Sequence, residues 1–241
     1  MRVSSRLIDP SENRLLSALP PEEFERLLPT LQQTSFSLGD VLYEFGGRLN
    51  YVYFPTTAII SLLYTMENGA TAEMGLTGND GVVGIALFMG GETMPNRAVV
   101  QSAGNAVRMK AKVLQKEFAL GGKFQRQLLR YTQALITQIS QTAVCNRLHS
   151  VEQQLCRWLL LSHDRVSTDE LIMTQELIAD MLGVRREGVT VAAGDLQDIG
   201  AISYVRGRIQ ILDRQKLEDT ACECYRVVKD EFDRLLGYDA H

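Results

Sequence analysis

The spacing of apolar residues changes character three times along the chain. Between residues 9 and 33, Leu15, Leu16 and Leu19, then Phe24, Leu27, Leu28 and Leu31, recur at helical intervals, and Pro20-Pro21 separates the two groups. This spacing predicts short helices capping whatever follows. From Thr34 to about Met109 the period shortens to runs rich in Val, Ile, Tyr, Phe and Thr. Gly39, Gly46-Gly47, Asn68-Gly69, Gly78-Asn79-Asp80-Gly81 and Gly90-Gly91 divide them. Strands at such close, even spacing predict a roll or barrel. Asn68-Gly69 predicts a hairpin with both central residues at positive φ.

Beyond Val113 the helical period returns. Phe124, Leu128, Tyr131, Leu135, Ile139 and Thr142 form a stripe close to a heptad repeat. Such a stripe is either a dimer seam or the face that a helix lays on its own core. What lies downstream favours the seam. A further apolar helix, Ser150 to Ser162, carries the only tryptophan, Trp158. A boundary near residue 148 then gives two domains, 1–147, with a long dimerisation helix at about 113–147, and 148–241.

The segment Thr174 to Gln197, TQELIADMLGVRREGVTVAAGDLQ, reads as two helices broken at Gly183. Ala179 is small where the first helix meets the second, Gly183 supplies a left-handed turn, and Val189 fills the angle between them. That spacing is a helix-turn-helix signature. Leu177, Ile178, Leu182, Val184 and Leu196 supply buried contacts, and Thr174 can cap the first helix, where Glu176 favours its positive end. The second helix opens with Arg185, Arg186 and Glu187, with Thr190 one turn on. Arginine matches guanine O6 and N7, and glutamate accepts from cytosine N4, so these residues are candidates for reading base edges, with Thr174 and Gln175 beside them. Ile199 to Val205 and Ile209 to Leu212 alternate as two strands joined through Arg206-Gly207-Arg208, a wing that would set Arg206 and Arg208 against phosphates.

Charge complicates this reading. The 241 residues carry a net charge of -4, and residues 148–241 hold 11 Lys and Arg against 17 Asp and Glu. A nucleic-acid binder is usually basic. The acids, however, cluster in the tail from Asp213 to Asp239, while four arginines between Arg185 and Arg208 face Glu187, Asp195 and Asp198. The expectation is modest affinity with strong salt dependence.

Other chemistry is thin. The three histidines fall in no nucleophile-elbow, Walker or HExxH pattern, which argues against an enzyme. Cys145, Cys156, Cys222 and Cys224 include no CxxC pair and no nearby histidine at zinc-ligand spacing, so neither a metal site nor a disulfide framework is expected and the thiols read as buried or idle. No apolar run is long enough for a membrane span and the first residues lack a secretory pattern, so a cytoplasmic protein without membrane contacts is expected.

The stretch MTQELIADMLGVRREGV, together with GDVLYEFG and YVYFP in the roll, resembles the Crp/Fnr family of regulators. The resemblance covers nearly the whole chain. It implies an α+β fold: an N-terminal antiparallel β-roll of cyclic-nucleotide-binding, jelly-roll type, a long dimerisation helix, and a C-terminal winged helix-turn-helix. It further implies a sequence-specific transcription regulator that binds a near-palindromic DNA operator as a homodimer through the Phe124 to Thr142 seam, with RNA polymerase as a further partner. By the same resemblance Arg186 and Glu187 read bases and Thr174 touches phosphate. Where the family's catabolite activator has another base-contacting arginine, this chain has Val191. On the ligand side, the family's cyclic-AMP binders use Gly-Glu-Leu and Arg-Ser, and here the matching positions read Gly84-Ile85-Ala86 and Arg97-Ala98. Gly84, Arg97 and Ala98 are therefore the candidate effector contacts, but the ribose-binding glutamate is absent and an effector other than cyclic AMP is expected. The first cysteine is Cys145, so no iron-sulfur cluster of the family's oxygen sensors is expected. The rival reading is a nucleotide-binding module whose helix-turn-helix docks proteins.

Overall fold

A computed structural model of the chain describes residues 8–237. A 3₁₀ turn at Pro10–Glu12 leads into α1 (Arg14–Ser17) and then α2 (Pro21–Leu27), which the proline pair opens, Pro20 as its N-cap and Pro21 as its first residue. Buried Asn13 holds this cap to the roll. Its side-chain oxygen accepts from the amides of Leu15 and Leu16, and its amide nitrogen donates to the carbonyls of Pro55 and Gly81 at 2.8 and 2.9 Å.

The roll comprises β1 (Gln32–Phe36), β2 (Val41–Tyr43), β3 (Tyr51–Pro55), β4 (Ile59–Thr65), β5 (Thr71–Thr77), β6 (Arg97–Ser102) and β7 (Gly104–Lys110). They form two antiparallel sheets, ordered β1-β7-β3 and β2-β6-β4-β5. β3 alternates, with Val52 and Phe54 inward. In β4 every residue from Ile59 to Leu63 is buried. A strand buried on both faces needs a layer on each side, and the C-terminal half supplies the second. The hairpin at Asn68-Gly69 is present, but Gly69 alone has positive φ there (84°), and Met66 pairs with Ala70 across a three-residue loop. A turn followed by one left-handed glycine replaces the two-residue turn expected from the sequence.

α3 (Ala111–Ala119) and α4 (Gly122–Leu148) follow. Here one expectation fails. Phe124, Leu128, Tyr131, Leu135 and Thr142 are buried within the chain itself, and Ile139 packs partly against the same core. The stripe is the helix's attachment to the roll, not a seam. Tyr131 shares a 2.8 Å hydrogen bond with Thr77, and Gln138 pairs with both the amide and the carbonyl of Leu76 at 3.1 Å. Periodicity counts apolar positions but does not say which partner covers them. The apolar residues left uncovered are Leu129, Ile136, Val144 and Leu148.

The C-terminal half runs α5 (Val151–His163), β8 (Glu170–Ile172), α6 (Gln175–Leu182), α7 (Arg186–Asp198), β9 (Ile202–Val205), β10 (Arg208–Ile211), α8 (Arg214–Thr220) and α9 (Glu223–Leu236). Ser150 and Gln153 close a capping box at the start of α5. The small sheet is ordered β8-β10-β9. Its third strand, β8, begins at the last residue of the polar stretch Val166 to Glu170 and gives too short an apolar signal to be read. The core continues unbroken from roll to C-terminal half. Among the described residues no helix is long and apolar enough to cross a membrane.

The cysteines also depart from expectation. Cys145 and His149 stand one helical turn apart at the end of α4, and the packing of α9 along α4 brings Cys222 and Cys224 onto them. Neighbours contributed by a distant helix leave no spacing signature.

Candidate nucleic-acid interface

The corner between α6 and α7 is built as its sequence requires. Thr174 caps α6, its hydroxyl accepting from the Leu177 amide at 3.2 Å. Ala179 and Val189 are buried where the helices meet, and Gly183 ends α6 with φ 66° and ψ 34°, a left-handed position that a side chain would strain. Arg185 is the N-cap of α7 and offers no side-chain cap; the Gly188 amide donates to its carbonyl at 3.0 Å, while the positive end of the helix meets no capping side chain.

Arg185, Arg186, Glu187 and Thr190 are all exposed on α7. Thr190 donates to the side-chain oxygen of Gln175 at 3.0 Å, fixing the first helix to the second. Arg186 has Glu176 at 4.0 Å, a loose pair between two well-exposed side chains. Such a pair is screened and holds the guanidinium weakly.

The wing turns on Arg206 and Gly207, with φ of 50° and 80°. Two adjacent positive φ values match the twist of a two-residue hairpin. Arg206 therefore sits at the tip. Arg208 is one step down β10, bonded at 2.8 Å to Glu170 on β8.

Between α7 and the wing lies a concave surface of 530 Å³, where Thr174, Gln175, Arg186, Thr190 and Arg206 converge. Five of the eight residues singled out from the sequence thus share one groove; Arg185, Glu187 and Arg208 flank it. Gln197 and Tyr204 belong to it as well and were not foreseen. Gln197 accepts from the Tyr204 amide at 2.8 Å, and the Tyr204 hydroxyl donates to the Met173 carbonyl at 2.8 Å. Neither stands in a motif.

On the roll the candidates do not assemble in the same way. Gly84, with φ 108°, starts a short 3₁₀ turn at Ile85–Leu87. Ala98 is fully buried in β6, and Arg97 pairs with Glu44 at 3.1 Å. The 230 Å³ pocket that Arg97 lines, with Glu44, Phe45 and Asn96 among others, includes neither Gly84 nor Ala98.

Residues 153–220, from α5 to the end of α8, match the family model of the Crp-like helix-turn-helix domain. The fold is similar to that of FixK2 from Bradyrhizobium japonicum, at 18% identity and a TM-score of 0.67 over 80% of this chain and 98% of that one. The chain is similar in fold to Crp/Fnr regulators, and its residues 153–220 match the Crp-like helix-turn-helix domain. A CRP-family transcriptional regulator of Thermus thermophilus, TTHB099, has the same fold at 16% identity and a TM-score of 0.66, over 78% of this chain and 96% of its own. The c-di-GMP responsive regulator CLP of Xanthomonas campestris has it at 15% identity and a TM-score of 0.61, over 80% and 99%. No curated protein matches the chain in sequence.

Proposed function

We propose that this chain is a DNA-binding transcription regulator of the Crp/Fnr type that binds a near-palindromic operator as a homodimer, with α7 in the major groove and the wing on the flanking backbone. The observation that carries the reading is the shared groove: Arg186 and Thr190 on α7 face the same concavity as Arg206 at the wing tip, with Thr174 and Gln175 between them. Arg186 and Glu187 read base edges, and Arg185, Thr174, Arg206 and Arg208 meet phosphates. The change from α4 to α5 near residue 148 divides a sensor part from a DNA-binding part.

The exposed face of α4 supplies the dimer contact. Leu129 and Ile136 lie one heptad apart, 50% and 55% exposed, with Val144 and Leu148 on the turns beyond. A heptad seam is the pattern that pairs two such helices. The effector of the roll is a molecule other than cyclic AMP, because the residues standing at that ligand's positions do not converge.

Footprinting on genomic fragments selected by the protein tests this reading. Two protected half-sites about one helical turn apart, related by a dyad, are expected. A single asymmetric footprint, or binding insensitive to salt, would overturn it.

A further inference from the structure

Four side chains at the junction of α4 and α9 make a constellation that DNA binding does not use. Cys145 and His149 come from the last turn of α4, Cys222 caps α9, and Cys224 stands in its first turn. The ligand atoms of all four lie within 4.8 Å of one another. Cys145 Sγ is 3.5 Å from Cys222 Sγ, and Cys224 Sγ is 3.6 Å from His149 Nδ1. We propose that Cys145, His149, Cys222 and Cys224 bind one Zn²⁺ tetrahedrally and fasten the start of α9 to the end of α4.

The spacing is the first argument. A tetrahedron with Zn–S and Zn–N bonds of ordinary length sets its sulfurs about 3.8 Å apart and sulfur and nitrogen about 3.5 Å apart. An iron-sulfur cluster, in which different irons carry different ligands, needs its cysteines more widely separated. A Cys145–Cys222 disulfide would use only two of the four groups and leave Cys224 and His149 facing each other without a role.

The surroundings of the four groups are the second argument. His149 turns Nδ1 toward the thiols, and its Nε2 lies 3.5 Å from the carboxylate of Glu223. A carboxylate behind a ligating imidazole fixes its tautomer and raises its basicity. Three thiolates and one Zn²⁺ leave a single negative charge. Arg157, only 3% exposed, is held to α4 by a 3.1 Å hydrogen bond from its guanidinium to the Thr142 hydroxyl, one turn before Cys145, and its Nε has no hydrogen-bond partner. A buried guanidinium of this kind balances that charge.

Four protein ligands leave no open position, which makes the site structural, not hydrolytic. Two of the four come from α9, beyond the segment that matches the Crp-like domain model. The metal thus ties an additional helix to the point where the long helix hands over to the DNA-binding half.

The test uses the full chain purified without a metal-affinity step. One zinc per chain by mass spectrometry is expected. Replacement by Co²⁺ should give thiolate charge-transfer bands with the intense visible bands of a tetrahedral ion. C145S, C222S and C224S should each abolish stoichiometric binding. Glu223 is well exposed, so E223Q should keep the fold and weaken zinc about 10-fold or more in a chelator competition. Substoichiometric zinc with a featureless cobalt spectrum overturns the proposal. So does a Cys145–Cys222 disulfide in freshly purified protein, or zinc retained undiminished by the three serine variants.

Discussion

The indole nitrogen of Trp158 on α5 donates to Glu73 on β5 at 3.0 Å, and the carboxyl it meets is 6% exposed. Ser61 contacts both the other Glu73 oxygen and the Gln101 side-chain oxygen, and Gln101 donates to Ser162 at 3.0 Å. A hydroxyl has one proton and cannot serve two acceptors. The circuit closes when Glu73 is protonated and donates to Ser61, which then donates to Gln101. Burial likewise pushes the Glu73 carboxyl up to about 7, against the opposing hydrogen bonds from Ser61 and Trp158 and the charges of Arg157 and Arg165.

This raised value fixes a sign. The folded chain keeps a proton that the unfolded chain releases near 4.5. The contribution is complete below that pH and is lost as pH rises through about 7, amounting to about 3 kcal/mol at most. E73Q reproduces the protonated pattern without titrating. It should match the native chain near pH 5 and exceed it in stability near pH 8, measured by urea unfolding followed through Trp158. Equal stabilities at both pH values would sink the assignment.

Arg165 and Asp80 form the second tie between the halves, 2.6 Å apart with both side chains buried. A buried pair contributes little over an apolar one, but half of it is costly. R165M should destabilise by about 3–5 kcal/mol. Adding D80N should recover a large part of that loss in a double-mutant cycle. Strict additivity of the two changes would show that the pair is not coupled.

The long helix separates its two faces by experiment. Leu135 is 1% exposed, so L135A removes core packing and should cost about 2–5 kcal/mol in unfolding. I136E alters an exposed position and should leave the fold intact while shifting the chain to monomer in sedimentation. A dimer that survives I136E and L129E places the seam elsewhere.

These two faces also mark what the sequence could and could not tell. The helix itself was legible from its period, and so was the corner, because Ala179, Gly183 and Val189 act through local geometry that their own identities specify. Which stripe of α4 met the roll was not legible, since burial there depends on β5 and α9, far away in the chain. The same holds for the thiols: Cys145 and His149 acquire their neighbours from residues 222 and 224 only through tertiary packing. Gln197 and Tyr204 entered the groove through hydrogen bonds to each other and to Met173, which no composition announces.

The groove residues divide by what each should do to DNA. Arg186 has no strong partner and stands on the helix proposed to read bases, so R186A should relax discrimination at one base pair in each half-site by about 1–3 kcal/mol. Arg206 at the wing tip meets only phosphate in this arrangement. R206A should therefore weaken all sequences alike and reduce the salt slope by about one. Arg208 must first leave Glu170, to which it is bonded at 2.8 Å, so R208A should cost less than R206A. E170Q, which releases Arg208, should tighten binding to specific and random DNA together. Competition binding at several salt concentrations reads all four variants. Uniform losses from R186A and R206A alike, with E170Q neutral, would mean that the wing and the helix do not share the work in this way.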